Sequence, residues 1–415
     1  MKKYRAEIIS IGNELLAGYT INTNASYISQ NLLSIGLPVR WVTTISDEHD
    51  EIINALTLAN KRADAVIITG GLGPTPDDIT KNSVCQYFDT YLVENKQILR
   101  DVEKFLANRG LSLLESNRAQ ALVPASAEIL RNSVGTAPGL LLNKDNTLFF
   151  FTPGVPREMK FLITEHILPY LSDHMELPTV HTRLLRTTGI AESRLYEMLK
   201  ELMSENPECQ VAFLPRHIGV DLRFHLISDE GGTVDAFQKF VAETHKTIHK
   251  YVFTDRDMDL EEKLGEILKE KKLSLATAES FTGGLLSDWI TNIPGSSEYY
   301  LGGHITYNNK SKIKYLGVSP DTINKHGAVS KETALEMARG VQKSFNSDCA
   351  IATTGIAGPG GATSQKPVGL CYISAISGKN IAVREFHFGK DRKINKMRGA
   401  IAGLEMLRRL LLEIN

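Results

Sequence analysis

Residues 273–284 read Leu-Ser-Leu-Ala-Thr-Ala-Glu-Ser-Phe-Thr-Gly-Gly, and this stretch decides the architecture of the C-terminal part of the chain. Leu273–Ala276 is an apolar run of strand length that stops at Thr277-Ala278-Glu279-Ser280. Thr282-Gly283-Gly284 then opens a helical apolar spacing at Leu285, Leu286, Trp289 and Ile290. A strand that feeds a helix through such a turn puts the Ser280 hydroxyl at a sheet edge. It also aims the first free N–H groups of the helix at whatever binds there. That arrangement suits a nucleophile with anion stabilisation beside it. It equally suits a serine that only caps the helix, and the segment alone leaves both readings open.

Downstream, Gly302–Val318 reads GGHITYNNKSKIKYLGV, with His304–Tyr307 as a strand. Tyr307 and Lys312 fall past its end, on the side where α/β sheets bind ligands. A serine nucleophile needs a base, and a lysine serves only when burial or a cationic neighbour keeps it neutral. Ser280, Tyr307 and Lys312 together would supply nucleophile, proton relay and base. Lys310, Lys312 and Lys314 also fit a solvated face, and Tyr307 fits ordinary packing. The strand Ala350–Thr354 runs into Gly355-Ile356-Ala357-Gly358-Pro359-Gly360-Gly361. Glycines there let the backbone approach a ligand and present successive N–H groups to an anion. Arg392 opens the last helix, as a phosphate ligand or as surface charge.

The first 170 residues alternate strand and helix: Glu7–Ile11, Asn24–Leu33, Val39–Ile45, Glu51–Ala59, Ala65–Thr69. This rhythm predicts a parallel sheet covered on both faces. Gly70–Thr80, GGLGPTPDDIT, is the strongest N-terminal signal. Gly70, Gly71 and Gly73 permit a tight turn at a strand end. Asp77 and Asp78 beside such a loop suit a hard divalent cation such as Mg²⁺; capping of the next helix by Asp77 explains them as well. Gly12–Gly18 with Asn24, Asn132–Gly139 and Pro153–Glu158 lie at other strand ends, and their number favours a nucleotide-sized crevice. Residues 176–255 read as a small α+β module, and Asp255–Asp259 as a linker.

The 415 residues carry 42% hydrophobic and 23% charged side chains, as ordinary globular domains do, and a net charge of −1. No general attraction to nucleic acid or to a membrane surface follows from that charge. No run approaches a membrane span, and Glu7, Asn13 and Glu14 interrupt any secretory leader. Cys85, Cys209, Cys349 and Cys371 have no metal or redox spacing and suggest reduced thiols in a cytoplasmic protein.

Taken together, AESFTGG (278–284), PGSS (294–297), GGHITYNNKSK (302–312), GAVS (327–330), EMA (336–338), TTGIAGPGG (353–361) and KPVG (366–369) resemble the C-terminal domain of the CinA family. The resemblance implies a nicotinamide-nucleotide amidase, which converts nicotinamide mononucleotide to nicotinate mononucleotide and ammonia without a cofactor. It implies Ser280 as nucleophile, with Tyr307 and Lys312 assisting. Thr282, Gly283 and Gly284 would contribute helix-start N–H groups, while Thr354, Gly355, Gly358 and Arg392 would hold the nucleotide. Many relatives have Cys after that serine; here Phe281 excludes a cysteine nucleophile and is expected to narrow the pocket. GNELLAG (12–18), GGLGPTPDDIT, NSVGTAPG (132–139) and PGVPRE (153–158) are similar to the N-terminal domain of CinA proteins, which has the molybdopterin-binding fold. That likeness implies a metal-dependent ADP-ribose pyrophosphatase yielding AMP and ribose 5-phosphate. Asp77, Asp78, Glu14 and Glu158 would handle metal or phosphate, and Gly71, Gly73 and Asn24 would line the site. A divalent cation is expected there, with a monovalent cation an open addition. The middle module resembles a KH-like domain but shows no Gly-x-x-Gly clamp, so RNA binding is not expected. The full expectation is an α/β protein of pyridine-nucleotide salvage, with domains at 1–172, 173–255 and 256–415, forming a homodimer. The rivals are a nucleotide-sensing or interaction protein without turnover, and a molybdopterin-handling enzyme.

Overall fold

The computed structural model describes residues 4–73 and 79–414, which group into two compact units. One holds the chain up to His181 with Ile227–Glu230; the other holds Thr182–Leu226 and the chain from Gly231.

In the first unit a six-stranded sheet runs Val39–Ile45, Ala6–Ile11, Ala65–Thr69, Thr147–Thr152, Gly139–Lys144, Glu128–Leu130 in spatial order. The first four strands are parallel, and Ile8, Ile67 and Phe150 lie in register across the centre. The last two pair antiparallel. Side chains alternate between two cores, as the period of a strand requires. Ile8, Ile67 and Phe150 pack on one face with Ile28 and Leu162, while Ile9, Ile68 and Phe151 pack on the other with Leu56 and Val84. Burial on both faces explains the nearly unbroken apolar runs AVIIT and LFFFT. All four parallel strands end on the same rim, where their loops gather.

In the second unit Gln210–Pro215, Val220–Ile227, Val180–Thr187 and Val252–Thr254 form a four-stranded sheet. Its core is Leu222 and Phe224 with Leu195, Leu199, Phe237 and Phe240 from two helices, Glu192–Ser204 and Gly231–Ile248. The expected linker at 255–259 is no loose tether. Met258 is buried, its carbonyl accepts from Arg186 Nη1 at 2.6 Å, and Asp259 pairs with the same guanidinium at 3.1 Å. Arg186 is itself buried, and a guanidinium removed from water needs such partners.

The remaining sheet orders Tyr300–Ile305, Leu275–Glu279, Cys349–Gly355, Leu370–Ser377, Asn380–His387. The first three strands are parallel and the last two antiparallel. Leu275, Ile351 and Ile373 face the helices Leu260–Lys271 and Arg392–Leu411. On the opposite face Ala276, Ala278, Ala350 and Ala352 are small enough for the helix Lys331–Phe345 to settle close, through Met337, Ala338 and Val341. That helix in turn seats the short helix Asn309–Leu316. Its Gly340 lies so near that a Cβ there would stand 1.9 Å from the Leu316 carbonyl oxygen. Alanine normally stabilises a helix over glycine by about 1 kcal/mol. Here the clash is with backbone, which cannot swing away. Gly340→Ala is therefore expected to destabilise by about 1–3 kcal/mol, read as a lower midpoint in denaturant unfolding.

Candidate active site

The strand Leu275–Glu279 is central and buried along its whole length. Ser280 N–H donates to the Thr353 carbonyl at 2.9 Å, which extends the ladder one residue and fixes Ser280 at the C-terminal rim. Beside it, Asn308 caps the helix Asn309–Leu316 by accepting from Ser311 N–H at 2.8 Å. Lys312 lies in the first turn of that helix, and helical side chains lean toward the helix start. Its Nζ donates to Ser280 Oγ at 2.9 Å and to the Thr306 carbonyl at 2.8 Å. Ser280 is 8% exposed and Lys312 only 2%. Burial lowers the Lys312 pKa to about 8. The serine and its candidate base thus touch directly in a site largely closed to water.

The turn after Ser280 differs from the expected row of free helix-start donors. The helix begins at Leu285, and the N–H groups of Gly284, Leu286 and Ser287 all donate to the buried carboxylate of Glu279, at 2.8, 3.1 and 2.8 Å. Phe281 N–H donates to the Thr353 carbonyl at 3.3 Å. Leu285 N–H reaches back to the Thr282 carbonyl at 3.4 Å. Among the described residues, the N–H groups of Thr282 and Gly283 are left without a protein acceptor. Of the three predicted donors, Gly284 is thereby removed. The Thr282 hydroxyl also points inward, to Glu279 Oε2 at 2.6 Å and Thr353 Oγ1 at 2.8 Å.

Tyr307 is not placed as a relay between Ser280 and Lys312. It is 61% exposed, and its hydroxyl accepts from Arg392 Nη2 at 2.7 Å. The direct Lys312–Ser280 contact needs no intermediary. Arg392 also donates to the Gly358 carbonyl at 2.7 Å, so Tyr307, Gly358 and Arg392 form one cluster at the mouth. Lys396, one helical turn beyond Arg392, was not singled out in the sequence. A Cβ built on Gly283 would lie 3.4 Å from its Nζ, so a cation stands beside the serine turn. The i, i+4 spacing of Arg392 and Lys396 on one helix was the available signal.

Thr354 and Gly355 have packing roles. Thr354 Oγ1 donates to the Ala328 carbonyl at 2.6 Å. A Cβ on Gly355 would come within 2.5 Å of both the Leu370 carbonyl oxygen and a Phe281 ring carbon. Phe281 itself corrects the expectation of a narrowed pocket. It is buried in the core, 6.1 Å from the Phe388 ring, and a Cβ on Gly399 would meet its ring at 2.8 Å. Successive residues of an extended chain point to opposite sides; with Ser280 in the site, Phe281 faces inward.

In the first unit, Asn24 Nδ2 donates to Thr69 Oγ1 at 3.1 Å and to the Gly154 carbonyl at 2.8 Å, joining two strand ends. Among the described residues its Oδ1 is buried without a partner. Gly71, in the left-handed region at φ 67°, has no room for a side chain, because a Cβ would strike Thr80 Oγ1. Gly73 ends the first described stretch, residues 4–73. Asp77 and Asp78 lie outside the described residues. Glu14 is exposed on the short helix Asn13–Leu16. Glu158 accepts from Asn132 Nδ2 at 2.6 Å and Ala137 N–H at 3.4 Å, and desolvation raises its pKa. It organises the 132–137 loop rather than standing free. Among the described residues no group of three His, Cys, Asp or Glu suited to a metal occurs, and Asp77 and Asp78 lie outside them.

Sequence comparison agrees with this architecture across the whole chain. Residues 257–411 match the CinA C-terminal domain, 182–254 the damage-inducible protein CinA KH domain, and 7–173 the probable molybdopterin binding domain. A CinA-like protein of Chloroherpeton thalassium is 43% identical over 98% of this chain and 99% of its own. The chain belongs to the CinA family. A second relative, from Caldicellulosiruptor saccharolyticus, is 41% identical over 98% of this chain and 99% of its own. Among solved structures, the competence/damage inducible protein CihA of Agrobacterium tumefaciens is 36% identical, covering 38% of this chain and 99% of that one, with a TM-score of 0.35. The fold is accordingly mixed α/β, with a molybdopterin-binding-type parallel sheet, a KH-like module and the CinA C-terminal domain. Among the described residues no helix is long and apolar enough to cross a membrane.

In this CinA protein the rim of the serine site is built on the Phe281 ring. Phe281→Ala is expected to cost about 3–5 kcal/mol, seen as a depressed thermal midpoint.

Proposed function

We propose that the C-terminal site is a serine–lysine amidohydrolase that converts nicotinamide mononucleotide to nicotinate mononucleotide and ammonia. The observation that carries the reading is the 2.9 Å contact between Lys312 Nζ and Ser280 Oγ within a buried site. A lysine works as a general base only in its neutral form, and burial brings that form within reach near neutral pH. Neutral Nζ takes the Oγ proton as Oγ bonds to the amide carbon, and the Thr306 carbonyl keeps Nζ oriented. Charge developing on the carbonyl oxygen falls to the free N–H groups of Thr282 and Gly283. The C–N bond then breaks, and the lysine proton passes to the departing nitrogen as ammonia forms. Water attacks the resulting ester and gives one proton to Lys312. Collapse returns that proton to Oγ and releases the carboxylic acid, which gives its remaining proton to solvent as the carboxylate forms. Arg392, with Tyr307 and the Gly358 loop, suits the nucleotide phosphate at the mouth. The choice of nicotinamide mononucleotide rests on the family resemblance.

The same reading gives the N-terminal unit hydrolysis of ADP-ribose to AMP and ribose 5-phosphate, with a divalent cation and with Asp77 and Asp78 as its carboxylates. Its support is the gathering of Asn24, Thr69, Gly71 and Gly154 on one sheet rim, where open α/β sheets bind ligands. A cytoplasmic homodimer belongs to this reading as well.

Ammonia release from nicotinamide mononucleotide is expected from the wild type and lost in Ser280→Ala. A binding protein without turnover would show none in either. Lys312→Met is expected to lower kcat by about a thousandfold. Because the lysine must lose its proton, kcat/KM is expected to rise with pH and level off above about 8. Below that it should fall tenfold per pH unit; a flat profile from pH 6 to 9 would remove Lys312 as base. Chelation of divalent metal, or Asp77→Ala, is expected to stop AMP formation from ADP-ribose and leave ammonia release unchanged.

A further inference from the structure

Glu279 takes no part in the chemistry above, yet its carboxylate is fully buried one residue from the nucleophile. A carboxylate in that position persists only if its lone pairs are met. Oε2 accepts from Thr282 Oγ1 at 2.6 Å, Gly284 N–H at 2.8 Å and Leu286 N–H at 3.1 Å. Oε1 accepts from Ser287 N–H at 2.8 Å and from Ser287 Oγ. Behind these, Tyr300 OH donates to Ser287 Oγ at 2.7 Å and lies 2.6 Å from Thr277 Oγ1. The anion therefore sits on the positive end of the Leu285–Thr291 helix and takes up the N–H groups that start it.

Two consequences follow for the nucleophile. The turn from Ser280 to Gly284 is tied at both ends, by the Ser280 ladder bond on one side and Glu279 on the other. The donors left over are then those of Thr282 and Gly283, next to Ser280, and not those of the helix. We propose that Glu279 is the positioning residue of this site, holding the Ser280–Gly283 turn so that Oγ rests on Lys312 and the Thr282 and Gly283 N–H groups stay free for the reacting oxygen. The proposal rests on the serine–lysine reading of the same site.

Glu279→Gln keeps the volume but turns an NH₂ group toward backbone donors. It is expected to lower kcat on nicotinamide mononucleotide about 100-fold, with KM held within about threefold. The pH midpoint should stay at its wild-type value, since Lys312 is untouched. Glu279→Asp, which keeps the charge with a shorter reach, should recover part of the loss. A second readout needs no natural substrate: the rate at which a fluorophosphonate probe labels Ser280, followed by mass spectrometry. That rate should fall in step with kcat. Unchanged kcat and labelling in a folded Glu279→Gln protein would overturn the proposal, as would a change confined to KM. If Glu279→Gln does not fold, Ser287→Ala decides, because it removes one donor from the same carboxylate. A loss of about tenfold in kcat and labelling supports the proposal, and no loss overturns it. Wild type that is labelled but releases no ammonia would sink the substrate assignment while labelling rates still test Glu279. Wild type that does neither would overturn both.

Discussion

A lysine without an ionic partner among the described residues, buried against a serine, is the constraint on which the C-terminal domain depends. Burial alone accounts for the lowered Lys312 pKa, so the neighbours supply shape rather than charge. Moving it from 10.5 to about 8 costs the fold roughly 3 kcal/mol wherever the lysine remains protonated. The cost is complete below about pH 8 and fades as pH rises toward the unfolded value of 10.5, since only then do both states hold the neutral amine. It must be offset by packing, and the packing is specific. The helix bearing Lys312 is pressed on Lys331–Phe345 at Gly340, and Glu336 of that helix accepts from Ser319 N–H at 2.8 Å and Thr322 Oγ1 at 2.6 Å. A looser seat would let water reach Nζ, restore its ordinary pKa and leave Ser280 without a base.

Several motifs that carry the family resemblance prove on this view to be scaffold. Lys366 of KPVG donates to the His326 and Val329 carbonyls at 2.8 and 2.7 Å, and Thr354 takes the Ala328 carbonyl between them. The single connection 326–330 is thus pinned both to the end of the strand Cys349–Gly355 and to the loop that carries the glycine-rich turn. Asn395 Nδ2 donates to the Ala357 and Gly389 carbonyls at 3.0 and 2.9 Å and ties the same turn to the last helix. Loops on a sheet rim have few apolar contacts of their own. Hydrogen bonds from buried side chains to their carbonyls are what give them one shape.

The strands at the centre of both parallel sheets were legible from apolar runs and the glycines that end them, because burial on both faces leaves a strong compositional mark. Ser280 and Lys312 were legible from their places just past strand ends. The antiparallel strands Gly139–Lys144 and Leu370–Ser377 were not read, since nothing in a short apolar run states the direction of its partner. Glu279 escaped for a different reason. A glutamate at a strand end looks solvated, and only the path of the following turn brings five donors onto it. The partner of Tyr307 was not legible, because the spacing to Lys312 said nothing of Arg392, 85 residues away in sequence.

Phe281 shows how one residue can be read from sequence in two ways with opposite consequences. Counted as a neighbour of the nucleophile, it belongs in the pocket. Counted by the alternation of an extended chain, it belongs in the core, because Ser280 already takes the open side. The second count holds, and it explains two glycines far apart in sequence, since Gly355 and Gly399 both leave room for its ring. A smaller residue after the serine would empty that space, and a larger one at either glycine would have to share it. The turn that aims Ser280 is thus held on its buried side by hydrogen bonds to Glu279 and by the packing of an aromatic ring. The nucleophile is placed by its two neighbours in sequence, both turned away from the open side that Ser280 takes.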